Sequence, residues 1–177
     1  MSVLSARFSP DLVLLTVHTG ELDILSQNLE GALGRSVSVP DAELSQLLKR
    51  AMVTESTSSS EIARRLRLYE EQWQGRVAVW AAETALKMNA RVAALLLRLP
   101  GEAGSSSFTP IRRSMHAAGI PVLDCSDAFM DFHDATLWVS PTDAHPNAVG
   151  HQLIAGCALK RLRAHPTLLP AWRADAP

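Results

Sequence analysis

The chain is short of several things, and each shortage closes off a class of function. Its formal charge is only -1, so there is no basic excess to neutralise phosphates and nucleic acid drops out as a partner. No stretch approaches the roughly 18 uninterrupted apolar residues of a membrane span. Its two cysteines, Cys125 and Cys157, make no framework of paired spacings and are read as free, partly buried thiols rather than a disulfide. Met1–Pro10 has no basic segment followed by an apolar one, so no signal peptide is expected and the location read from these residues is cytoplasmic. What is present is 177 residues of 47% hydrophobic content, enough for one core of ordinary size and therefore one domain, 1–177.

Leu12–Val17 is a compact apolar run, too short for a helix core and too uniform for a half-exposed strand; a strand of a parallel sheet covered on both faces fits it. Glu21–Leu33 spaces Leu22, Leu25, Leu29 and Leu33 about one turn apart, and Gly34 is its stop. A short helix is expected over Ala42–Met52, then a polar loop over Thr54–Ser60. Ser59 or Ser60 caps the next helix, which passes Ile62, Leu66 and Tyr69 towards Trp73. Arg64, Arg65, Arg67, Glu70 and Glu71 form its solvated face. Gly75 separates it from further helix over Val77–Met88. Arg91–Leu99 reads as a second buried strand, Thr109 and Pro110 start a helix that Gly119 ends, and Pro121–Asp124 is a short third strand. A helical turn at Asp127–Phe132 and a loop follow, and Asn147 caps a last helix from Ala148 to about Arg163. Helices alternating with short apolar strands indicate an α/β fold with a parallel sheet, whose functional groups gather beyond the carboxyl ends of the strands.

In Pro141–Asn147 a carboxylate and an imidazole lie two residues apart in a loop just ahead of a helix. Asp143 would hold one ring nitrogen of His145, leaving the other free to take a proton. The run Asp143–Ala155 resembles the last conserved block of the SGNH hydrolases, the GDSL lipases and esterases: Asp-x-His-Pro-Asn, a small residue, Gly-His, then a helix. Ile120–Phe129 looks like the strand and turn before that block, and Ser9–Leu15 looks like the family's third strand.

The resemblance implies a three-layer, flavodoxin-like α/β/α fold and a serine ester hydrolase without metal or organic cofactor, with His145 as general base, Asp143 as its orienting carboxylate and a small acyl ester as substrate. The family's nucleophile belongs to a Gly-Asp-Ser turn that would precede Asp11, and the chain is expected to be incomplete at its amino terminus. Where the family reads Gly-x-Asn-Asp after this strand, the chain reads His18–Thr19–Gly20–Glu21, so Gly20 replaces an oxyanion donor and His18 partly fills the pocket. Trp138 is a further pocket candidate. Without the family's first strands, Leu12–Val17 would become an exposed edge open to self-association, and a non-catalytic binding or assembly module is the alternative.

Lesser candidates are Cys125 as a substitute nucleophile and His18, His116, His133, His151 and His165 with Asp131 or Asp134 as metal ligands, although their spacings match no standard zinc site. His151 is expected to pack in the first turns of the last helix. Trp73, Trp80 and Trp172 are read as core or rim aromatics.

Overall fold

The computed structural model describes residues 10–18, 21–35, 39, 41–87, 89–100 and 108–168. It is an α/β fold whose elements run β1 (Leu12–His18), α1 (Glu21–Leu33), α2 (Ala42–Arg50), α3 (Ser59–Leu66), α4 (Glu70–Leu86), β2 (Arg91–Leu97), α5 (Thr109–Ala117), β3 (Val122–Cys125), β4 (Trp138–Ser140), β5 (Asp143–Pro146) and α6 (Ala148–Arg163), with 3-10 turns at Arg67–Tyr69 and Asp134–Thr136. The chain divides into two compact units: Met1–Thr19, Ala82–Ser106 and Gly119–Pro177 form one, Gly20–Ala81 and Ser107–Ala118 the other. No helix among the described residues is long and apolar enough to cross a membrane.

In the first unit, β1, β2 and β3 form a parallel sheet in that order. The central strand β2 is buried on both faces, as its unbroken Val-Ala-Ala-Leu-Leu-Leu run demands: Val92, Ala94 and Leu96 on one side, Ala93, Leu95 and Leu97 on the other. The second of these faces packs with Leu123 and Cys125 of β3 and with Ile154, Cys157, Ala158 and Leu162, which recur at helical spacing along one side of α6. β1 departs from the expectation of a strand covered on both faces. Among the described residues it pairs only with β2, its side chains are half-buried or exposed, and Leu14 is 37% exposed.

The second unit is helical. Leu29 of α1, Leu44, Leu47 and Leu48 of α2, Ile62 and Leu66 of α3 and Trp73 of α4 make its core. Asp41 caps α2, accepting from the Leu44 N–H at 2.9 Å, and takes the guanidinium of Arg76 on both carboxylate oxygens. The Arg76 bonds, chiefly, hold the Asp41 carboxyl below its usual range against the opposing effect of burial. On the outer side of α3, Glu61 accepts from both Arg64 and Arg65, which pull its carboxyl down to about 2.

Four helix boundaries differ from those expected. α4 runs straight through Gly75, because a Cβ there would meet Ser114 Oγ of α5 at 2.3 Å; the glycine permits a close helix–helix approach rather than a stop. α2 ends at Arg50, and Met52 takes a left-handed φ of 53°. The Met52 and Val53 N–H groups then return to Lys49 and Leu48 oxygens, the closing pattern for which glycine is the usual residue. Ser58 rather than Ser59 or Ser60 precedes α3, and Phe108 rather than Thr109 precedes α5.

Candidate functional site

The Asp143–His145 pair sits on a strand, not in a loop. β4 and β5 form an antiparallel hairpin separate from the main sheet, pairing Trp138 with Pro146 and Ser140 with Asp143. One residue, Val139, lies between those pairs on β4, whereas Ala144 and His145 lie between them on β5. The extra residue is a β-bulge, a device that re-aims side chains. Pro146 is buried and Trp138 half-buried, while Val139, Ala144 and His145 are exposed.

Two bonds from one carboxylate oxygen then define the pair. Asp143 Oδ1 accepts from the His145 backbone N–H at 3.0 Å and lies 2.6 Å from His145 Nδ1. The backbone bond first, and the ring second, hold the Asp143 carboxyl below its usual range, so it is ionised at neutral pH. The imidazole is 81% exposed and the carboxylate 45%. With Nδ1 committed, Nε2 is the nitrogen presented outward, and it has no hydrogen-bond partner among the described residues. Such a pair takes a proton at Nε2 and steadies the resulting imidazolium through Nδ1.

Asn147 anchors the pair to the rest of the unit. Its Oδ1 accepts from Val149 and Gly150 N–H, capping α6, and its Nδ2 donates to the carbonyls of Thr136 and Trp138. Its own N–H donates to Leu137 O at 2.7 Å. Gly150 allows the first turn of α6 to lie against the hairpin: a Cβ there would meet Pro146 Cβ at 2.9 Å. Asn147 was legible as a helix cap; its role in tying down β4 was not, because carbonyls nine and eleven residues upstream leave no local signal.

The other expected positions are distributed as follows. His18 ends β1, in register with Leu97 at the carboxyl edge of the sheet. Gly20 lies outside the described residues, as does Trp172. Trp138 opposes Pro146, and its indole Nε1 is buried; the residue exposed beside His145 is Val139, 58% open to solvent, which the sequence reading passed over. His151 is exposed on α6 rather than packed, since the helix turns Ile154, Cys157 and Leu162 to the core instead. Among the described residues no group of three or more His, Cys, Asp or Glu is placed to hold a metal ion.

The cysteine reading is overturned. Cys125 and Cys157 are joined in a disulfide, with Cα atoms 5.9 Å apart, because β3 and α6 pack directly on each other. Cys125 is therefore no nucleophile. No family model, curated protein or solved structure matches the chain.

Proposed function

We propose that this chain carries the base half of an SGNH-type ester hydrolase, with His145 as general base and acid and Asp143 as the carboxylate that orients it. The observation that carries the reading is the doubly held Asp143, bonded to both the backbone and Nδ1 of His145, with the ring exposed at the head of α6. The 177 residues contain no Gly-Asp-Ser sequence, so the nucleophilic hydroxyl would be contributed by a further, upstream segment.

In that reaction the serine oxygen attacks the carbonyl carbon of a small acyl ester while His145 Nε2 removes the hydroxyl proton. His145 then returns the proton to the departing alcohol oxygen as the carbon–oxygen bond breaks, leaving an acyl-serine. Water, deprotonated at the same nitrogen, attacks the acyl carbon; the acid leaves and the serine recovers its proton. Asp143 stays ionised throughout and offsets the imidazolium charge in each half. The exposed Val139 face beside His145 would carry the apolar part of the substrate.

The test is to read the DNA in frame ahead of Met1, express the longer polypeptide and treat it with a fluorophosphonate and an activated acetate ester. The expected result is covalent labelling of a serine and turnover, both lost in His145→Ala. A stop codon directly ahead of Met1, together with no labelling of the 177-residue chain, would sink the reading.

A non-catalytic assembly module is the second reading, favoured by one observation: among the described residues β1 pairs with β2 alone, and it carries neither proline nor acidic or lysine side chains. Self-association through Leu12–Val17 is what that reading requires, and a strictly monomeric chain at high concentration would count against it.

A further inference from the structure

We propose that the Cys125–Cys157 bridge positions the Asp143–His145 pair, clamping the segment that carries it so that the site is ordered in the oxidised chain and loosens when the bridge opens. The proposal rests on that pair being the working site.

The argument begins with how little holds the hairpin by itself. β4 and β5 are three and four residues long, share only two paired positions, one on either side of the bulge, and hydrogen-bond to no strand of the main sheet among the described residues. A two-stranded hairpin of ordinary length is marginal in water, and this one is shorter. Its order is borrowed from the elements at its two ends. Upstream is β3, whose last residue is Cys125; downstream is α6, joined to the hairpin through Pro146 and Asn147. The bridge spans 32 positions and ties those two elements to each other. Asp127, the Asp134–Thr136 turn, both hairpin strands, Asp143, His145 and the Asn147 cap all lie inside the closed loop.

Within the segment Phe129 and Leu137 are buried and Asn147 bonds Thr136, Leu137 and Trp138; polar side chains also tie across it. Arg161 donates to Asp124 O and to Asp127 Oδ2, the latter between half-exposed partners, and Arg98 approaches Asp134 only to 3.8 Å. Cys125 is fully buried in the face that α6 covers, so the bridge sits inside packing and holds the helix at a fixed register on β3. With the bridge open, α6 is held on β3 by apolar contacts and the Arg161 bonds alone, so its register there, and with it the closure of the segment between the two elements, is less tightly fixed.

The test compares the oxidised chain with the Cys125→Ala/Cys157→Ala variant and with the chain reduced by dithiothreitol, which supplies two electrons and two protons to give two thiols and its own cyclic disulfide. Amide hydrogen exchange is read at Asn147, whose N–H bonds Leu137 O, and along β2; the Asp143 carboxyl is followed by carbon-13 titration. The expected result is exchange at Asn147 about tenfold faster without the bridge, β2 amides within about twofold, and an Asp143 midpoint moved up towards the ordinary carboxylate range. Three results would overturn the proposal: two free thiols in the folded, oxidised chain; no change at Asn147; or parallel loss of protection in β2, which would make the bridge a staple of the whole unit. None of these readouts needs turnover, so their failure and the failure of the hydrolase reading are separable.

Discussion

Asp41 in the helical unit and Asp143 in the sheet unit make nearly the same set of bonds. Each accepts a backbone N–H from two or three residues ahead and binds a nitrogen-bearing side chain, and each has its carboxyl held below the usual range. Their surroundings separate them. Asp41 is 6% exposed and grips Arg76, from the far end of its unit; Asp143 and the His145 it holds stand largely in solvent. Buried, the motif fastens helices together and has nothing left to offer. Exposed, it leaves one imidazole nitrogen facing outward and contributes little to stability.

The largest expected effect is at Asp41. Replacing it with alanine removes the cap of α2 and the carboxylate on which Arg76 is packed, at a cost of about 3 kcal/mol in denaturant unfolding, the low end for a broken buried pair because Glu43 remains 3.6 Å from Arg76. The same pair dictates a pH dependence. Because the folded-state carboxyl of Asp41 is depressed, the unfolded chain takes up the proton first, so its stabilisation is complete above the ordinary carboxylate value and is lost as pH falls below about 4 towards the folded value. Asp41→Asn, which keeps a capping oxygen, should flatten the Asp41 part of that acid limb; an unchanged limb would show that other carboxylates carry it.

Next comes Asn147→Ala, expected to cost about 1–2 kcal/mol through the lost cap of α6 and to unfix β4, read as faster amide exchange at Val149 and Gly150. Met52→Gly should work in the other direction: the side chain is 71% exposed and the left-handed φ favours glycine, so a gain of about 1 kcal/mol is expected in thermal or denaturant unfolding. The smallest effect on stability is at Asp143, where asparagine should leave the thermal midpoint unmoved while abolishing serine labelling in any polypeptide that supplies the hydroxyl. A large drop in midpoint at Asp143 would erase the contrast between the two aspartates.

The parts of the molecule that follow local rules were legible in the chain. Leucine spacing marked α1 to the residue, the short continuous apolar runs marked β1 and β2, and Asn147 marked the start of α6. What escaped were relations between distant residues. Gly75 looks like a stop unless the neighbouring Ser114 is known, and two cysteines separated by 32 positions look unpaired until β3 and α6 are seen to pack. The hairpin escaped for a different reason: three- and four-residue strands with a bulge are too short to show a period of two. The Asp-x-His pattern did mark the pair, but not the strand on which it stands or the exposed valine beside it.

Asn147 has both amide hydrogens and both acceptor positions of its oxygen already spoken for. It is saturated, and an incoming molecule would find no vacancy there. If the proposed hydrolase reading holds, Asn147 would not read a substrate's polar groups, and the exposed Val139 would be the first side chain to enlarge or shrink in order to change what the molecule prefers.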